Sequence, residues 1–318
     1  MAKYFALESS LPLSEEIPAA RLDIYNIRNR EELKFLNVIK TILTTGERRV
    51  DRTKVGTMSI FGKQLRFCLM DGKLPLMTHR KTFPRGIIEE ILWIIRGQTD
   101  SKILSEKKVN IWNDNSSKEF LEKRGLGHYK PGDIGPAYGF QLRHNGADYK
   151  GCDKDYTGKG FDQLEYVIKL LKEDPSSRRI MFTLWNPSQL AEMALPPCAF
   201  NYQFYVSNGF LSCILTQRSS DIALAGWANV LTGSLLTYML AKVTAGLKPK
   251  EFIWNIGDIH IYMNQLESAE QMVIREPRQF PTLKLKMPQG GNIEKFQVSD
   301  FEICGYNPHG PIKVAMNA

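Results

Sequence analysis

The strongest constraint on the fold is the order of predicted elements between residues 202 and 261. Two strand-like runs, residues 202–206 and 210–217, flank Ser207-Asn208-Gly209, a turn sequence typical of a β-hairpin. The apolar run over residues 228–245 predicts a core helix, and residues 253–261 again resemble a strand. Because helices and strands interleave, we expect a mixed α/β or α+β fold.

The same alternation extends over most of the chain. Apolar spacing predicts helices near residues 30–45, 85–96 and 163–172, and strands near 58–69, 180–185 and 301–306. No internal repeat and no change of composition marks a linker. We therefore predict one catalytic domain over residues 31–318, preceded by an N-terminal extension of residues 1–30 that has no clear periodicity.

The formal net charge of +8 favours anionic partners without identifying them. The basic residues are scattered, and the sequence contains no zinc knuckle, helix-turn-helix signature or RNP-type aromatic motif. A phosphorylated small molecule needs only a few convergent arginines. Such a ligand is therefore favoured over nucleic acid.

Other classes of protein are disfavoured by patterns that the chain lacks. No apolar run approaches the roughly 20 residues of a membrane span, and the first residues do not resemble a signal peptide, which predicts a cytoplasmic protein. The 5 cysteines, without zinc-type spacing, fit a reducing compartment. The 5 histidines do not form a metalloenzyme motif, so we predict no metal site.

Cys198 is the candidate nucleophile. It lies in Leu195-Pro196-Pro197-Cys198-Ala199, and Arg218 follows in the next strand-like run as a candidate cation that could favour the thiolate. A buried structural thiol is the alternative for any single cysteine. Glu90 also has two interpretations: it lies either on the wet edge of an apolar helix or in its interior as an acid with a raised pKa.

The chain resembles thymidylate synthases along most of its length after about residue 30. The matching stretches are Asp51-Arg52-Thr53, Glu90-Ile91-Leu92-Trp93, Ile111-Trp112, residues 132–139, Ser177-Arg178-Arg179, Trp185-Asn186-Pro187, residues 193–198, Gln203-Phe204-Tyr205-Val206, Gln217-Arg218-Ser219, residues 257–262 and Gly305-Tyr306-Asn307-Pro308-His309. The resemblance implies a three-layer α/β fold around a mixed β-sheet. It also implies a homodimer in which each subunit lends arginines to the other subunit's site.

The resemblance implies a role for each matching residue in binding and activating dUMP. Cys198 attacks the base, Glu90 handles protons, and Tyr138 assists removal of the C5 proton. Arg218 binds phosphate and lowers the pKa of the thiol. The remaining contacts to dUMP are assigned to Arg52, Gln217, Ser219, Asp221, His260 and Tyr262, with Arg178 and Arg179 of the partner subunit.

A second set of residues is expected to bind the co-substrate, 5,10-methylenetetrahydrofolate. Asp221 accepts from the pterin ring, Arg80 lies near the acidic tail, and the other expected contacts are Ile111, Trp112, Leu224 and Ala318. Asn229 reads the base, because its amide offers both a donor and an acceptor to O4 and N3–H of uracil. The substrate is therefore expected to be dUMP rather than dCMP.

Four departures from the family pattern bear on the product. Ala199 stands where the family usually has a histidine, and Asn115 stands where it has a second tryptophan. Trp227-Ala228 replaces the usual Pro-Phe, and Asn317 replaces a small apolar residue. Since hydride transfer needs a dry site, Asn115, Trp227 and Asn317 predict that water captures the methylene intermediate. The expected enzyme is then a dUMP hydroxymethylase, possibly viral and acting in the host cytoplasm.

Two alternatives remain beside the hydroxymethylase. A thymidylate synthase would make dTMP and dihydrofolate from the same substrates. An inactive relative could instead serve as an RNA-binding or regulatory protein, although the presence of every expected phosphate-binding arginine argues against it.

Overall fold

The computed structural model describes residues 29–50, 54–244 and 246–317. The predicted extension over residues 1–30 lies almost entirely outside these ranges, as do Arg52 and Ala318. The helices are α1 (Arg30–Thr45), α2 (Pro84–Ile95), α3 (Lys102–Glu106), α4 (Lys118–Lys123), α5 (Tyr138–Arg143), α6 (Gln163–Glu173), α7 (Gly226–Val243) and α8 (Leu266–Val273). The strands are β1 (Glu47–Arg49), β2 (Thr57–Cys68), β3 (Met181–Thr183), β4 (Ala199–Ser207), β5 (Phe210–Asp221), β6 (Lys248–Tyr262), β7 (Thr282–Leu285) and β8 (Phe301–Cys304).

A six-stranded mixed sheet forms the centre of the fold, in the order β1-β2-β6-β5-β4-β3. The pair β5 and β6 is parallel, and the other neighbours are antiparallel. The predicted hairpin is β4–β5, whose strands pair up to Ser207 and Phe210. Asn208 and Gly209 between them both have positive φ, as a two-residue hairpin turn requires. The expected mixed α/β fold is confirmed.

Helix α7 provides the crossover between the parallel strands β5 and β6, and it is buried along most of its length. Its residues are apolar around the whole circumference, which is typical of a core helix. Gly233 allows its close approach to the sheet, because a Cβ at this position would collide with the ring of Phe252 on β6. The predicted core helix is therefore confirmed.

Two predicted strands are shorter than expected. Residues 180–185 form only the three-residue edge strand β3, because the chain turns into the 3₁₀ helix Pro187–Glu192 soon after its last paired residue, Thr183. Residues 301–306 pair only as far as Cys304, since Gly305 leaves the strand with positive φ. The strand β8 belongs to a separate two-stranded sheet with β7.

This topology brings three distant segments to one end of the central sheet. Because β5 and β6 are parallel, their C-terminal ends lie together, and Asp221 is paired with His260. The start of β4 lies beside the same part of β5, where Ala199 is opposite Gln217. Cys198 immediately precedes β4 and therefore joins this end of the sheet.

Candidate active site

The backbone of Cys198 is held from both sides. Its N–H donates to the hydroxyl oxygen of Tyr138 at 3.0 Å, and its carbonyl accepts from the N–H of Arg218 at 2.9 Å. The cysteine is half-buried at the start of β4. These contacts position the thiol at the end of the sheet where the predicted site residues converge.

The side chain of Arg218 wraps around the cysteine loop. Its Nε donates to the carbonyl of Pro197 and its Nη2 to that of Pro196, both at 2.9 Å. Nη2 also lies 3.5 Å from Cys198 Sγ, and the guanidinium lies over the ring of Trp185 at 5.5 Å from its centroid. A cation at this distance favours the thiolate over the thiol. Nη1 makes no hydrogen bond to a described residue and is left to bind an anion.

Glu90 lines a cavity of about 110 Å³ at the base of this site. Its Oε1 accepts from the indole N–H of Trp112 at 2.8 Å. Burial raises the pKa of Glu90 to about 7, and the hydrogen bond from Trp112 opposes this shift. Of the two interpretations drawn from the sequence, the structure favours the buried acid.

Tyr138 lies between Cys198 and Trp112. Burial and the neighbouring Cys198 raise the pKa of Tyr138 well above its usual value, so its hydroxyl keeps its proton at neutral pH. The oxygen accepts from the Cys198 N–H, and the proton remains available for donation. Its ring meets that of Trp112 edge-on at 5.8 Å between centroids.

A buried chain of hydrogen bonds fixes the amide of Asn229. Trp254 Nε1 donates to Gln217 Oε1 at 2.9 Å, and Gln217 Nε2 donates to Asn229 Oδ1 at 3.1 Å. Since an indole N–H can only donate, the oxygen of Gln217 must face Trp254 and its nitrogen must face Asn229. Asn229 consequently keeps Nδ2 as a donor, with a second lone pair on Oδ1.

The ribose side of the site is formed where β5 and β6 end. His260 Nδ1 lies 2.8 Å from Asp258 Oδ1, and its ring meets that of Tyr262 edge-on at 5.3 Å between centroids. Asp258 also pairs with Arg49 at 2.7 Å and is opposite Ser219 in the parallel ladder. His260, Tyr262 and Ser219 are thus brought together as predicted.

Asp221 connects the end of β5 to the C-terminal segment. Its Oδ1 accepts from the N–H of Leu224 at 2.9 Å, and its Oδ2 accepts from Gln265 Nε2 at 2.7 Å. The same amide nitrogen donates to the carbonyl of Ala315 at 2.7 Å. Burial raises the pKa of Asp221 despite these hydrogen bonds. Gln265 therefore links the expected pterin acceptor to the C-terminal segment.

The three residues that were expected to decide the product have different surroundings. Asn115 Nδ2 is buried, and no described residue forms a hydrogen bond with it. Trp227 Nε1 donates to the carbonyl of Leu224 at 2.9 Å. Asn317 exchanges two amide hydrogen bonds with Asn264, at 2.8 and 3.2 Å. Asn317 is therefore already satisfied, which weakens the expectation that it holds a water.

Some predicted residues lie apart from this cluster. Arg178 and Arg179 are exposed in the turn before β3, whose Met181 is opposite Gln203. Arg179 is therefore level with Tyr205, seven residues beyond Cys198 along β4, or roughly 20 Å. Neither arginine can join the phosphate site of its own chain.

Arg80 is buried beneath the turn that follows Asp221. It donates to the carbonyls of Ala223 at 2.8 Å and Leu224 at 2.9 Å. Burial lowers the pKa of Arg80 to about 10. A contact with the folate tail stays a prediction. Ile111 is 42% exposed beside the buried Trp112.

Sequence reasoning missed three side chains that support the site: Trp185, Trp254 and Gln265. Trp185 was noted only as part of a matching stretch, and the other two carried no recognisable signal, because each acts by orienting another side chain. Among the described residues, no group of three His, Cys, Asp or Glu side chains could hold a metal ion. In the same ranges, no helix combines the length and apolar character needed to cross a membrane.

Comparison with known proteins decides the family. The sequence pattern described as thymidylate synthase matches residues 33–318. The chain belongs to the thymidylate synthase family. It is therefore a folate-dependent transferase that acts at C5 of dUMP, with 5,10-methylenetetrahydrofolate as co-substrate.

The similar relatives include fungal and viral proteins. Thymidylate synthase from Agaricus bisporus is 48% identical over 294 residues, covering 90% of this chain and 99% of the relative. The enzyme of Human herpesvirus 8 type P is 49% identical over 286 residues, covering 90% and 84%. That of Saccharomyces cerevisiae is 47% identical over 300 residues, covering 91% and 98%. These names support methyl transfer and give no support to the expected hydroxymethylase or to a viral origin.

Proposed function

We propose that this protein is a thymidylate synthase that converts dUMP and 5,10-methylenetetrahydrofolate to dTMP and dihydrofolate. The observation that carries the proposal is the Arg218 guanidinium, anchored on the cysteine loop with Nη2 3.5 Å from Cys198 Sγ. Its anchoring carbonyls, Pro196 and Pro197, belong to the same loop as the nucleophile. One cation can thus favour the thiolate and bind the phosphate that places the base above it.

The first chemical step is addition of the Cys198 thiolate to C6 of the uracil ring. The C5–C6 double-bond electrons move toward O4, where charge develops as an enolate. The Asn229 Nδ2 donor, whose orientation is set by Trp254 through Gln217, is suited to stabilise that charge. Because these groups are buried and fixed before the reaction, little reorganisation is needed when the charge forms.

The folate supplies a one-carbon unit to C5 and then a hydride. Trp112 offers an aromatic wall, and the Asp221 carboxylate offers a buried acceptor fixed by Leu224 and Gln265. Asn115 Nδ2, three residues after Trp112, is a buried donor that lacks a partner among the described residues. These features fit a polar aromatic ring system bound between Trp112 and the Asp221 turn.

Proton movements are assigned to Glu90 and Tyr138. With a pKa of about 7, Glu90 can both accept and donate a proton near neutral pH. Tyr138 stays neutral and donates its hydroxyl hydrogen while its oxygen accepts from the Cys198 N–H. It thereby assists removal of the C5 proton as a hydrogen-bond donor to the accepting base.

A homodimer explains the position of Arg178 and Arg179. Both lie at the opposite end of β4 from Cys198, too far away to reach their own chain's site. Met181 (40%) and Tyr205 (66%) are exposed apolar side chains on one face of the sheet, because Met181 is opposite Gln203 and Tyr205 lies two residues further along β4. Pairing two chains through this face would allow Arg178 of the partner subunit and Arg179 of the partner subunit to complete the phosphate clamp.

The hydroxymethylated product is the second candidate, because the unpartnered Asn115 Nδ2 could hold a water close to the folate slot. Asn317, which pairs with Asn264, does not add to this case. Conversion of dUMP to dTMP with equimolar dihydrofolate, followed by ultraviolet absorbance and nucleotide mass spectrometry, is the expected result. A hydroxymethyl nucleotide formed without dihydrofolate would replace the proposed product.

The covalent step has a separate test in Cys198→Ala. We expect this variant to bind dUMP in calorimetry with the affinity of the native protein within several-fold, because Arg218 and Asn229 remain. Turnover should fall below detection, and no covalent nucleotide adduct should appear in intact-protein mass spectra. Retained turnover would refute the nucleophile assignment. An RNA-binding protein would instead show RNA gel shifts and no dUMP turnover. The cytoplasmic location stays a prediction.

A further inference from the structure

Below Asn229, the cavity of about 110 Å³ extends between α2, α5, α7 and the sheet. Most of its wall is apolar, but six of its lining side chains carry polar atoms: Glu90, Trp112, Tyr138, Tyr202, Asn229 and Thr232. A water molecule needs about 10–15 Å³ of such space together with polar partners. The cavity therefore has room and hydrogen-bonding groups for several waters.

Ala199 makes part of this space available. It is buried in the cavity wall at the start of β4, and its side chain ends at Cβ. Tyr202, three residues later on the same strand, is 5% exposed and stacks on Phe182 with 4.8 Å between ring centroids. The small residue leaves room in front of the tyrosine.

The hydroxyl of Tyr202 makes no hydrogen bond with any of the residues that the structure describes. A buried phenol normally has a partner, since an unpaired polar group in an apolar setting costs about 1–3 kcal/mol. Burial, Cys213 and Glu90 raise the pKa of Tyr202 far above its usual value, so the group is a neutral donor. Tyr202 and Glu90 both line the same cavity.

Glu90 has an unpaired acceptor that complements the unpaired donor of Tyr202. Its Oε1 accepts from Trp112, whereas no hydrogen bond from a described residue reaches Oε2. The cavity thus has an unpaired donor at Tyr202 and an unpaired acceptor at Glu90. Water is the group of suitable size and polarity to join them.

We propose that Tyr202 anchors an ordered water in this cavity and, through it, orients the Glu90 carboxylate for proton transfer. Tyr202 is then a positioning residue for the reaction, acting through Glu90. Its hydroxyl donates to the water, and the water donates to Glu90 Oε2. The expected effect on the pH profile of kcat rests on the proposed function. The expected effect on the pKa of Glu90 does not, because it is measured in the ligand-free protein.

Tyr202→Phe tests this role while keeping the ring that stacks on Phe182. Without the Tyr202 hydroxyl, the water that donates to Glu90 is no longer held in place. The ionised carboxylate should become less stable, and the pKa of Glu90 should rise by roughly 0.5–1. The infrared C=O band of protonated Glu90 reports this directly in the ligand-free protein, with Glu90→Gln identifying the band. In steady-state kinetics, the transition in the pH profile of kcat should move to higher pH by the same amount. The KM for dUMP should change less than twofold.

Tyr166→Phe is the matched control, because Tyr166 lies on α6 against Phe161 and also loses only a hydroxyl. It should leave the Glu90 titration unchanged. Should Tyr202→Phe fail to fold, Ala199→Val provides a second route, since two added methyl groups would displace the water and raise the Glu90 titration similarly. In a protein carrying both changes the shifts should not add.

Either of two results overturns the inference. One is an unchanged Glu90 titration in Tyr202→Phe or, where that variant does not fold, in Ala199→Val. The other is an equal shift in Tyr166→Phe. If the native protein does not turn over dUMP, the proposed function fails, yet the infrared titration still decides the role of Tyr202.

Discussion

Arg218 Nη2 lies 3.5 Å from Cys198 Sγ, although the two residues are separated by 20 positions in the chain. A backbone hydrogen bond also joins the two residues, because the Arg218 N–H donates to the Cys198 carbonyl at 2.9 Å. Arg218 is also held by the carbonyls of Pro196 and Pro197. Cys198 and Arg218 are therefore joined by both backbone and side-chain contacts.

Arg218→Lys should weaken these contacts. A lysine cannot bind two carbonyls and a phosphate with one planar group, and it is not an equivalent replacement at a stacked site. We expect kcat/KM for dUMP to fall by roughly 100-fold or more, which corresponds to a loss of about 2.7 kcal/mol of transition-state stabilisation. Alkylation of Cys198 by iodoacetamide at pH 7 should slow several-fold, as followed by peptide mass spectrometry.

Arg66→Lys is the control for that change, because Arg66 forms an exposed ion pair with Glu251 on the sheet. It should leave both the alkylation rate and kcat/KM within twofold of the native values. Unchanged alkylation in Arg218→Lys would contradict the view that this arginine favours the thiolate.

Turnover should depend on a group that titrates near pH 7. Burial raises the pKa of Glu90 to about 7, so its protonated and ionised forms are both populated at neutral pH. Glu90→Gln cannot exchange a proton, and we expect kcat to fall by roughly 100–10,000-fold while dUMP still binds. A pH profile of kcat between 5.5 and 8.5 checks the first point. A native profile without a transition in that interval would exclude Glu90 as the titrating group.

Trp254→Phe should relax the reading of the base. Gln217 loses the donor that fixes its oxygen, so both its amide and that of Asn229 can rotate. We expect the ratio of the affinities for dUMP and dCMP to fall about tenfold, which corresponds to about 1.4 kcal/mol of binding free energy. Competition of the two nucleotides for binding measures this preference.

The matched control for Trp254 is Trp93→Phe. Trp93 is also buried and donates its indole N–H, in this case to the carbonyl of Asp100 at 3.0 Å. Its loss should destabilise the protein to a similar extent without changing the ratio of the two affinities. If Trp254→Phe and Trp93→Phe change that ratio equally, Trp254 has no specific role in base reading.

Stability should fall as the pH drops below about 6.5. His79 is buried against Glu32, with 2.8 Å between Nδ1 and Oε1, and burial lowers its pKa. Because the folded state binds a proton less readily than the unfolded state, this contribution is complete above the unfolded pKa of about 6.5 and is lost on acidification. Between pH 6.5 and 5 the loss can reach about 2 kcal/mol.

Urea unfolding at a series of pH values measures this loss. The free energy of unfolding of His79→Asn should be lower at pH 8 but should decline less between pH 6.5 and 5. His128→Asn, at an exposed histidine, should keep the native dependence. An identical decline in His79→Asn would show that His79 does not contribute to acid sensitivity.

The sequence determined the local elements and pointed to Cys198 as the candidate nucleophile. Asn208-Gly209 accounts for the tight hairpin, because both residues must adopt positive φ. The apolar spacing of α7 accounts for its burial. Cys198 and Arg218 were proposed from residue type and order, and the role of Asn229 from the resemblance to thymidylate synthases, since these signals are short segments of chain that need no knowledge of distant neighbours.

Only the tertiary structure decided how those groups are tuned. Trp254 and Gln217 are 37 residues apart, and their contact exists because β5 and β6 are adjacent parallel strands. The environment of Glu90 depends on a cavity lined by α2, α5, α7 and the sheet, which no single segment encodes. Likewise, the distance of Arg179 from Cys198 follows from the register of β3 on β4. Burial, orientation and distance arise from packing between segments that are remote in the chain, and the sequence by itself does not specify them locally.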